Sequence, residues 1–553
     1  MPEMTSGEIK RTHARVPGDR VVALRLAAAG LFIPLLLCVY SGQAGAQFDP
    51  SKVRGEPEQV ARRFPDPSVE FDTPGFAPGR MNFPSHYEVL AYLQDLASKH
   101  PRLRLEWVGR SQQGLPIPLV VLSGAGGFSF KRPTVLILGQ QHGNEPGGGE
   151  AALALARRFA GEQAAMLDRV NLLIMPRANP DGAQAFVRAT ANGQDVNRDH
   201  LLLRTPEGSA IAAVARRYRP QVVLDLHEFT VGDRWIAKFG AWARADGLLQ
   251  GATVGNLNAS IAAATSSDFL VAARSAIEAQ GLMSFWYHTA SSDPKDLQVS
   301  MGGVNPDTGR NVGGLRNAVS ILLETRGIGI GRAHFKRRVH THVLAASAIV
   351  DEAAKQGPAL LSLVQKAGAE VAALACRGEL VVNAGFSMER MIVPFVDDKT
   401  GEDKPVEVAW RSALKLTTLR SRPRPCGYLI AAGEKQAIDA LARLGLRTQR
   451  VADASRWVLE RYRVEGSIEG KREDARGAIN DPSAIRVLAV KTEAASVNAR
   501  SGPWVFVSLA QPLANLAAAA LEPDSQNSYA ANRLMEIEGD RLLRVMRRPG
   551  GEN

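Results

Sequence analysis

The chain has 553 residues, 45% hydrophobic and 22% charged, with a formal net charge of +11. That length argues for two or more domains, and the balance of apolar and charged residues excludes global disorder. The basic excess either attracts anionic partners such as cell-wall polymer or is a solvated surface; with no arginine-rich arm, zinc finger or RNA-binding signature beside it, no nucleic-acid partner is expected.

Lys10, Arg11, Arg15, Arg20 and Arg25 precede an apolar run over 26–40, and Ala44-Gly45-Ala46 follows. A basic, then a hydrophobic, then a small-x-small segment reads as a signal peptide over 1–46, cut after Ala46, with an uncleaved anchor as the alternative. The run is short and broken by Pro34, so no stable membrane span is expected after cleavage. The mature chain is then periplasmic or secreted. Two cysteines remain in it, Cys376 and Cys426; export permits oxidation, and sequence alone leaves both the bonded and the free pair open.

Residues 47–80 are rich in Pro, Asp and Arg and show no period, which reads as a lead-in. Residues 85–100 have helical spacing, and the runs at 103–108 and 117–122 look like strands. Four apolar runs follow, each leading into a polar loop: Thr134–Leu138 into His142-Gly-Asn-Glu145, Val170–Met175 into Asn179-Pro-Asp-Gly182, Gln221–Leu226 into His227, and Ala318–Leu323 into Glu324. Helical stretches at 148–160 and 208–218 lie between them. Short apolar strands alternating with helices predict an α/β domain over 81–356, with a mixed, largely parallel twisted sheet flanked by helices. In such sheets the site forms beyond the carboxyl ends of the strands. Alanine-rich helices over 340–376 follow, and strand-like runs from 377 predict a smaller α+β accessory domain over 377–545.

A catalytic zinc site takes three N or O ligands and keeps a fourth position open. His142 and Glu145, three apart on a turn, can face one ion, and His227 at another strand end can complete the set. Glu324, a carboxylate in an apolar rim, suits a general base. An arginine fork beside an asparagine, as in Asp195-Val-Asn197-Arg198, suits a carboxylate, and a second arginine, Arg188, can stabilise an oxyanion. Each of these alone also reads as a surface or rim group.

Taken in order, these motifs over residues 80–350 resemble the M14 family of zinc carboxypeptidases. The resemblance implies one zinc per chain on His142, Glu145 and His227. It implies that Arg188 polarises the scissile carbonyl, that Asn197 and Arg198 grip the terminal carboxylate, that Glu324 is base and then acid, and that Asp195 fixes the tautomer of His142. Asp225-Leu-His-Glu-Phe229 is similar to the bacterial, exported branches. Side-chain preference in the family is set near Gly309 and Arg310, where an arginine favours an acidic side chain. No tyrosine occurs over 300–312, and Tyr287 is the nearest candidate for the family's mobile one. The expected activity is removal of C-terminal residues from peptides, with peptidoglycan stem peptides as one substrate class. His-Gly-Asn-Glu also resembles the aspartoacylase and succinylglutamate desuccinylase group, and a peptide-binding protein with a dead site is the third reading.

Overall fold

The computed structural model describes residues 48–479, 481–499 and 501–549; the expected signal segment lies outside them. The first strands are β1 (Leu103–Arg110), β2 (Pro116–Leu122), β3 (Thr134–Gly139), β4 (Asn171–Met175) and β5 (Val222–Thr230). Then come β6 (Ala241–Ala243), β7 (Gly247–Gly251), β8 (Ser284–Trp286), β9 (His288–Thr289), β10 (Val299–Met301) and β11 (Val319–Ile328). Eight of these form one sheet in the order β1-β2-β4-β3-β5-β11-β7-β8. Its centre, β4-β3-β5-β11, is parallel, and antiparallel neighbours continue it on both sides. The mixed, largely parallel sheet is therefore as expected. The central strands are apolar on both faces because helices cover both faces. The helices Pro146–Ala160 and Phe335–Gln356 pack on Val135, Ile137, Leu224 and Leu226, and the helix Pro206–Tyr218 lies with Leu136, Leu138 and Val223 on the other side.

Two strands run further than the apolar pattern indicates. Both β5 and β11 continue past the apolar runs that mark them, so His227 and Glu324 sit on strands rather than beyond them. Pairing between the two strands carries them on, with His227 directly beside Glu324 in register. Partners in register share a face of the sheet, so both side chains project to the side that also carries Asp225.

The boundary expected near residue 377 is crossed by strand pairing. A long hairpin, β12 (Glu379–Asp397) and β13 (Asp403–Pro423), joins β6, β10 and β9 in a five-stranded sheet. The disulfide Cys376–Cys426 closes the feet of this hairpin. Beyond it lie β14 (Gly427–Ala431), β15 (Gln449–Val451), β16 (Val458–Gly470), β17 (Glu473–Asp474), β18 (Gly477–Ala478), β19 (Ile485–Ala495), β20 (Trp504–Ser508) and β21 (Leu542–Arg547). Six of these make an antiparallel sheet, β15-β20-β14-β21-β16-β19, packed against the helices Lys435–Leu444 and Ala514–Leu521. From Phe48 onward the described residues form one compact unit. The lead-in is bound to it: Glu56 accepts from Arg326 at 2.5 Å and lies 2.8 Å from His334, and Gly75 N–H donates to Glu150 at 2.7 Å.

Three glycines let the first turn of the helix Pro146–Ala160 drop onto the sheet. A methyl group on Gly148 would lie 2.8 Å from both the carbonyl oxygen and Cβ of Leu226, and one on Gly149 would lie 3.0 Å from the Pro176 carbonyl. Overpacking of this kind costs about 1–3 kcal/mol. Gly148→Ala is therefore expected to lower the midpoint of thermal unfolding; an unchanged midpoint contradicts the close approach.

Candidate active site

The loop after β3 turns sharply at Gln140, whose φ is 49°, and brings His142 round to face β5. Glu145 then stands at the N-terminus of the glycine-rich helix. His142, Glu145 and His227 are buried and converge. Glu145 Oε1 lies 2.8 Å from His142 Nδ1, its Oε2 lies 2.7 Å from His227 Nδ1, and the two Nδ1 atoms are 3.0 Å apart. Among the described residues this is the group of His, Cys, Asp and Glu side chains whose donor atoms lie close enough to hold one ion.

Each imidazole has a carboxylate behind it. His142 Nε2–H donates to Asp195 Oδ1 at 2.9 Å, and His227 Nε2–H donates to Asp225 Oδ1 at 2.8 Å. Each imidazole thus lies between two carboxylates, with Nδ1 on Glu145 and Nε2 on its aspartate; with a cation on the Nδ1 side, the aspartate contact keeps the proton on Nε2. The two Nδ1 atoms and the Glu145 carboxylate face one another in a buried space, an arrangement that calls for positive charge, part of which Arg188 Nη1 supplies at 3.1 Å from His142 Nδ1 and 3.2 Å from Glu145 Oε1. Two nitrogens and one carboxylate oxygen form a donor set suited to zinc. The local charges show the same demand. Burial opposes charge on Glu145, yet His142 and His227 hold its pKa below the ordinary value. Burial likewise opposes charge on His227, but Asp225 and Glu145 outweigh it and raise its pKa.

The Asn179-Pro-Asp-Gly182 turn supports this loop. Asn179 Oδ1 accepts from Gly182 N–H at 2.9 Å, and its amide donates to the Gln141 carbonyl at 3.2 Å. Asp181 is held by Ser111 at 2.5 Å and by the Gln113 N–H at 3.0 Å. Gly143 packs so tightly on this turn that a methyl group there would lie 1.9 Å from the Gly182 carbonyl carbon.

His142, Glu145, Arg188, Asn197, Arg198, Arg310 and Glu324 all line one cavity of about 240 Å³. Arg188 grips Asp195 Oδ2 through Nε at 3.1 Å and Nη2 at 2.9 Å, and its Nη1 donates to Glu145 Oε1 at 3.2 Å. Asp195 thus orients both His142 and Arg188. Glu324 is buried; desolvation first, and the charge of Glu145 second, push its pKa up to about 7. Arg326 is turned away to Glu56 and does not pair with Glu324.

The zinc carboxypeptidase family, peptidase M14, matches residues 89–236. Carboxypeptidase 2 of Trichophyton rubrum is 27% identical over 525 residues, covering 90% of this chain and 95% of the relative. A metallo-carboxypeptidase structure from Burkholderia cenocepacia covers 49% of this chain and 69% of its own, with 18% identity and a TM-score of 0.38. Probable carboxypeptidase 2 of Trichophyton verrucosum (strain HKI 0517) is 30% identical over 353 residues, covering 62% of this chain and 67% of the relative. The chain belongs to the M14 family of zinc carboxypeptidases.

In this carboxypeptidase the expected substrate-gripping residues are already engaged by the chain itself. Asn197 Oδ1 accepts from Gly309 N–H at 2.7 Å, and its amide nitrogen lies 3.0 Å from His227 Nε2 and 3.4 Å from Asp225 Oδ2. Arg198 donates to the Asn197 carbonyl at 2.7 Å and to Asp474 at 2.5 Å. Arg310 donates to the Gly303 carbonyl at 2.6 Å, with its Nε unpartnered. Tyr287 also lines the cavity, its phenol raised to about 12 by burial and by Glu324.

Sequence reading missed Asp225, Asp474 and Arg476. Asp225 had a signal, since in Asp225-Leu-His227 the first and third residues of a strand share a face. Asp474 and Arg476 had none, because they reach the cavity from the far end of the chain. The carboxypeptidase is expected to carry about one zinc per chain by elemental analysis. Glu145→Gln should lose it, and Asp195→Asn should weaken zinc binding by about 10- to 100-fold in a chelator competition. Full zinc retention by both variants contradicts the assignment.

Proposed function

We propose that this metallocarboxypeptidase releases single C-terminal residues from peptides, with His142, Glu145 and His227 as the metal ligands and Glu324 as the general base. The observation that carries the reading is the convergence of the three donors in a buried space beside a fourth carboxylate, Glu324, which lines the cavity and stands in register with His227. Zinc held there supplies Lewis acidity, making water more acidic and a carbonyl more electrophilic.

The chain's own residues do the rest. Glu324 takes the proton of the attacking water and then passes it to the departing amine. Burial raises its pKa to about 7; a cation in the cluster acts the other way, so the carboxylate is available as a base near neutrality. Arg188, held by Asp195, has one nitrogen directed into the cluster, where it stabilises the oxyanion that develops as water adds. Asp225 and Asp195 keep both imidazoles in one tautomer throughout.

The working compartment is outside the cytoplasm, on the strength of the sequence pattern over 1–46. No helix among the described residues is long and apolar enough to cross a membrane. The substrate class is a peptide with a free C-terminal carboxylate. Peptidoglycan stem peptides belong to it, and the chain's basic excess attracts an anionic wall.

Glu324→Gln is expected to lower kcat by about 10²- to 10⁴-fold with zinc content unchanged. Mass spectrometry of a peptide library treated with the wild-type protein should show loss of single C-terminal residues. Internal cuts, or release of acyl groups from N-acyl amino acids in place of peptide trimming, would refute the reading.

A further inference from the structure

The turn between β17 and β18 reaches the catalytic cavity from the C-terminal part of the chain. Asp474, Ala475 and Arg476 line the same space as His142, Glu145 and Glu324. The local sequence explains the turn. Asp474 comes first and Gly477 last; Asp474 Oδ1 accepts from the Arg476 N–H at 2.8 Å, and Gly477 takes a φ of 105°. Aspartate suits the first position because it caps the turn, and glycine suits the last because it tolerates positive φ.

The base of this hairpin is fastened down. Arg472 donates to the Arg198 carbonyl at 2.7 Å and to Asp481 at 2.6 Å. Glu473 and Gln526 exchange two hydrogen bonds, both of 2.9 Å, and Asn305 donates to the Glu473 carbonyl at 3.1 Å. The turn is therefore a fixed wall of the cavity.

On that wall one carboxylate holds two guanidinium groups. Asp474 Oδ2 accepts from Arg198 Nη2 at 2.5 Å and from Arg476 Nη2 at 2.7 Å. Asp474 is shared between the two, and Asp195 and Asp307 also act on Arg198. Exposure decides which arginine a ligand meets: the Arg476 side chain is 30% exposed, against 10% for Arg198. The Arg476 charge also reaches Tyr287 and Glu324, which places it within range of the reacting centre.

We propose that Arg476 binds the C-terminal carboxylate of the substrate and that Asp474 is a positioning residue that sets Arg476 beside Arg198. This rests on the carboxypeptidase reading, which gives the substrate its anionic end. The residue comes from outside the stretch that matches the zinc carboxypeptidase family, residues 89–236. The C-terminal part of the chain thereby completes the site as well as covering it.

The test uses the full-length zinc-loaded protein in a Glu324→Gln background, so that turnover is suppressed during the titration. Isothermal titration compares N-acetyl-Ala-Ala-Ala with its C-terminal amide. The parent should bind the free acid about 10- to 100-fold more tightly, the range for hydrogen bonds to a charged group. Arg476→Ala should bring that ratio close to one, Arg476→Lys should retain part of it, and Asp474→Asn should lower it. Guanidinium ion added to the Arg476→Ala protein should restore part of the preference, which a merely unfolded variant cannot show. A ratio near one in the parent, or a ratio unchanged by Arg476→Ala, overturns the proposal. Kinetics with Glu324 intact separate it from the reading it rests on. An active enzyme whose KM for free-acid peptides is unmoved by Arg476→Ala ends this proposal alone. A wild-type protein that releases no residue, yet prefers acid over amide through Arg476, ends the hydrolase reading and supports the Arg476 assignment.

Discussion

Two imidazoles are turned toward one carboxylate because a second carboxylate stands behind each of them. Asp195 accepts the hydrogen bond of His142 Nε2–H and Asp225 that of His227 Nε2–H, so Nδ1 of both rings points to the same place. All three donors are buried, so bulk solvent does little to relieve this crowding. Electron-rich groups held this way are stable only around positive charge. A divalent cation bound there would offset the cost of assembling them and would couple metal affinity to the integrity of the surrounding sheet.

That constraint explains much of the nearby architecture. His227 and Asp225 share a face of β5, so one strand supplies both a donor and its support. Asp195 serves His142 and Arg188 together, which ties that arginine to the cluster. The glycine-rich first turn of the helix Pro146–Ala160 lets Glu145 come close to β5. The Asn179–Gly182 turn acts as a backstop rather than a ligand. Asp195 orients two groups that line the cavity, His142 and Arg188.

Much of this was legible in the sequence, for a physical reason. The central strands are covered on both faces, so they read as unbroken apolar runs, and the polar residues that follow them stand out. His142, Glu145, His227 and Glu324 were visible in that way. The exact strand ends were not, because pairing between β5 and β11 extends both strands through polar residues that no apolar pattern marks. The engagement of Arg198 was also hidden. Its partner, Asp474, lies 276 residues away, and local spacing carries no trace of such a contact. The α+β character of the C-terminal part could be read from its runs, but its interweaving could not, since β6 and β10 pair with a hairpin that begins only at Glu379.

Whether a metal sits where the three donors meet is decided most directly by diffraction from zinc-loaded crystals, measured on either side of the zinc absorption edge. The predicted result is a single anomalous peak at about 2.0–2.2 Å from Nδ1 of His142, Nδ1 of His227 and a Glu145 oxygen. A peak elsewhere, or ligation through the Nε2 atoms that Asp195 and Asp225 hold, would contradict it.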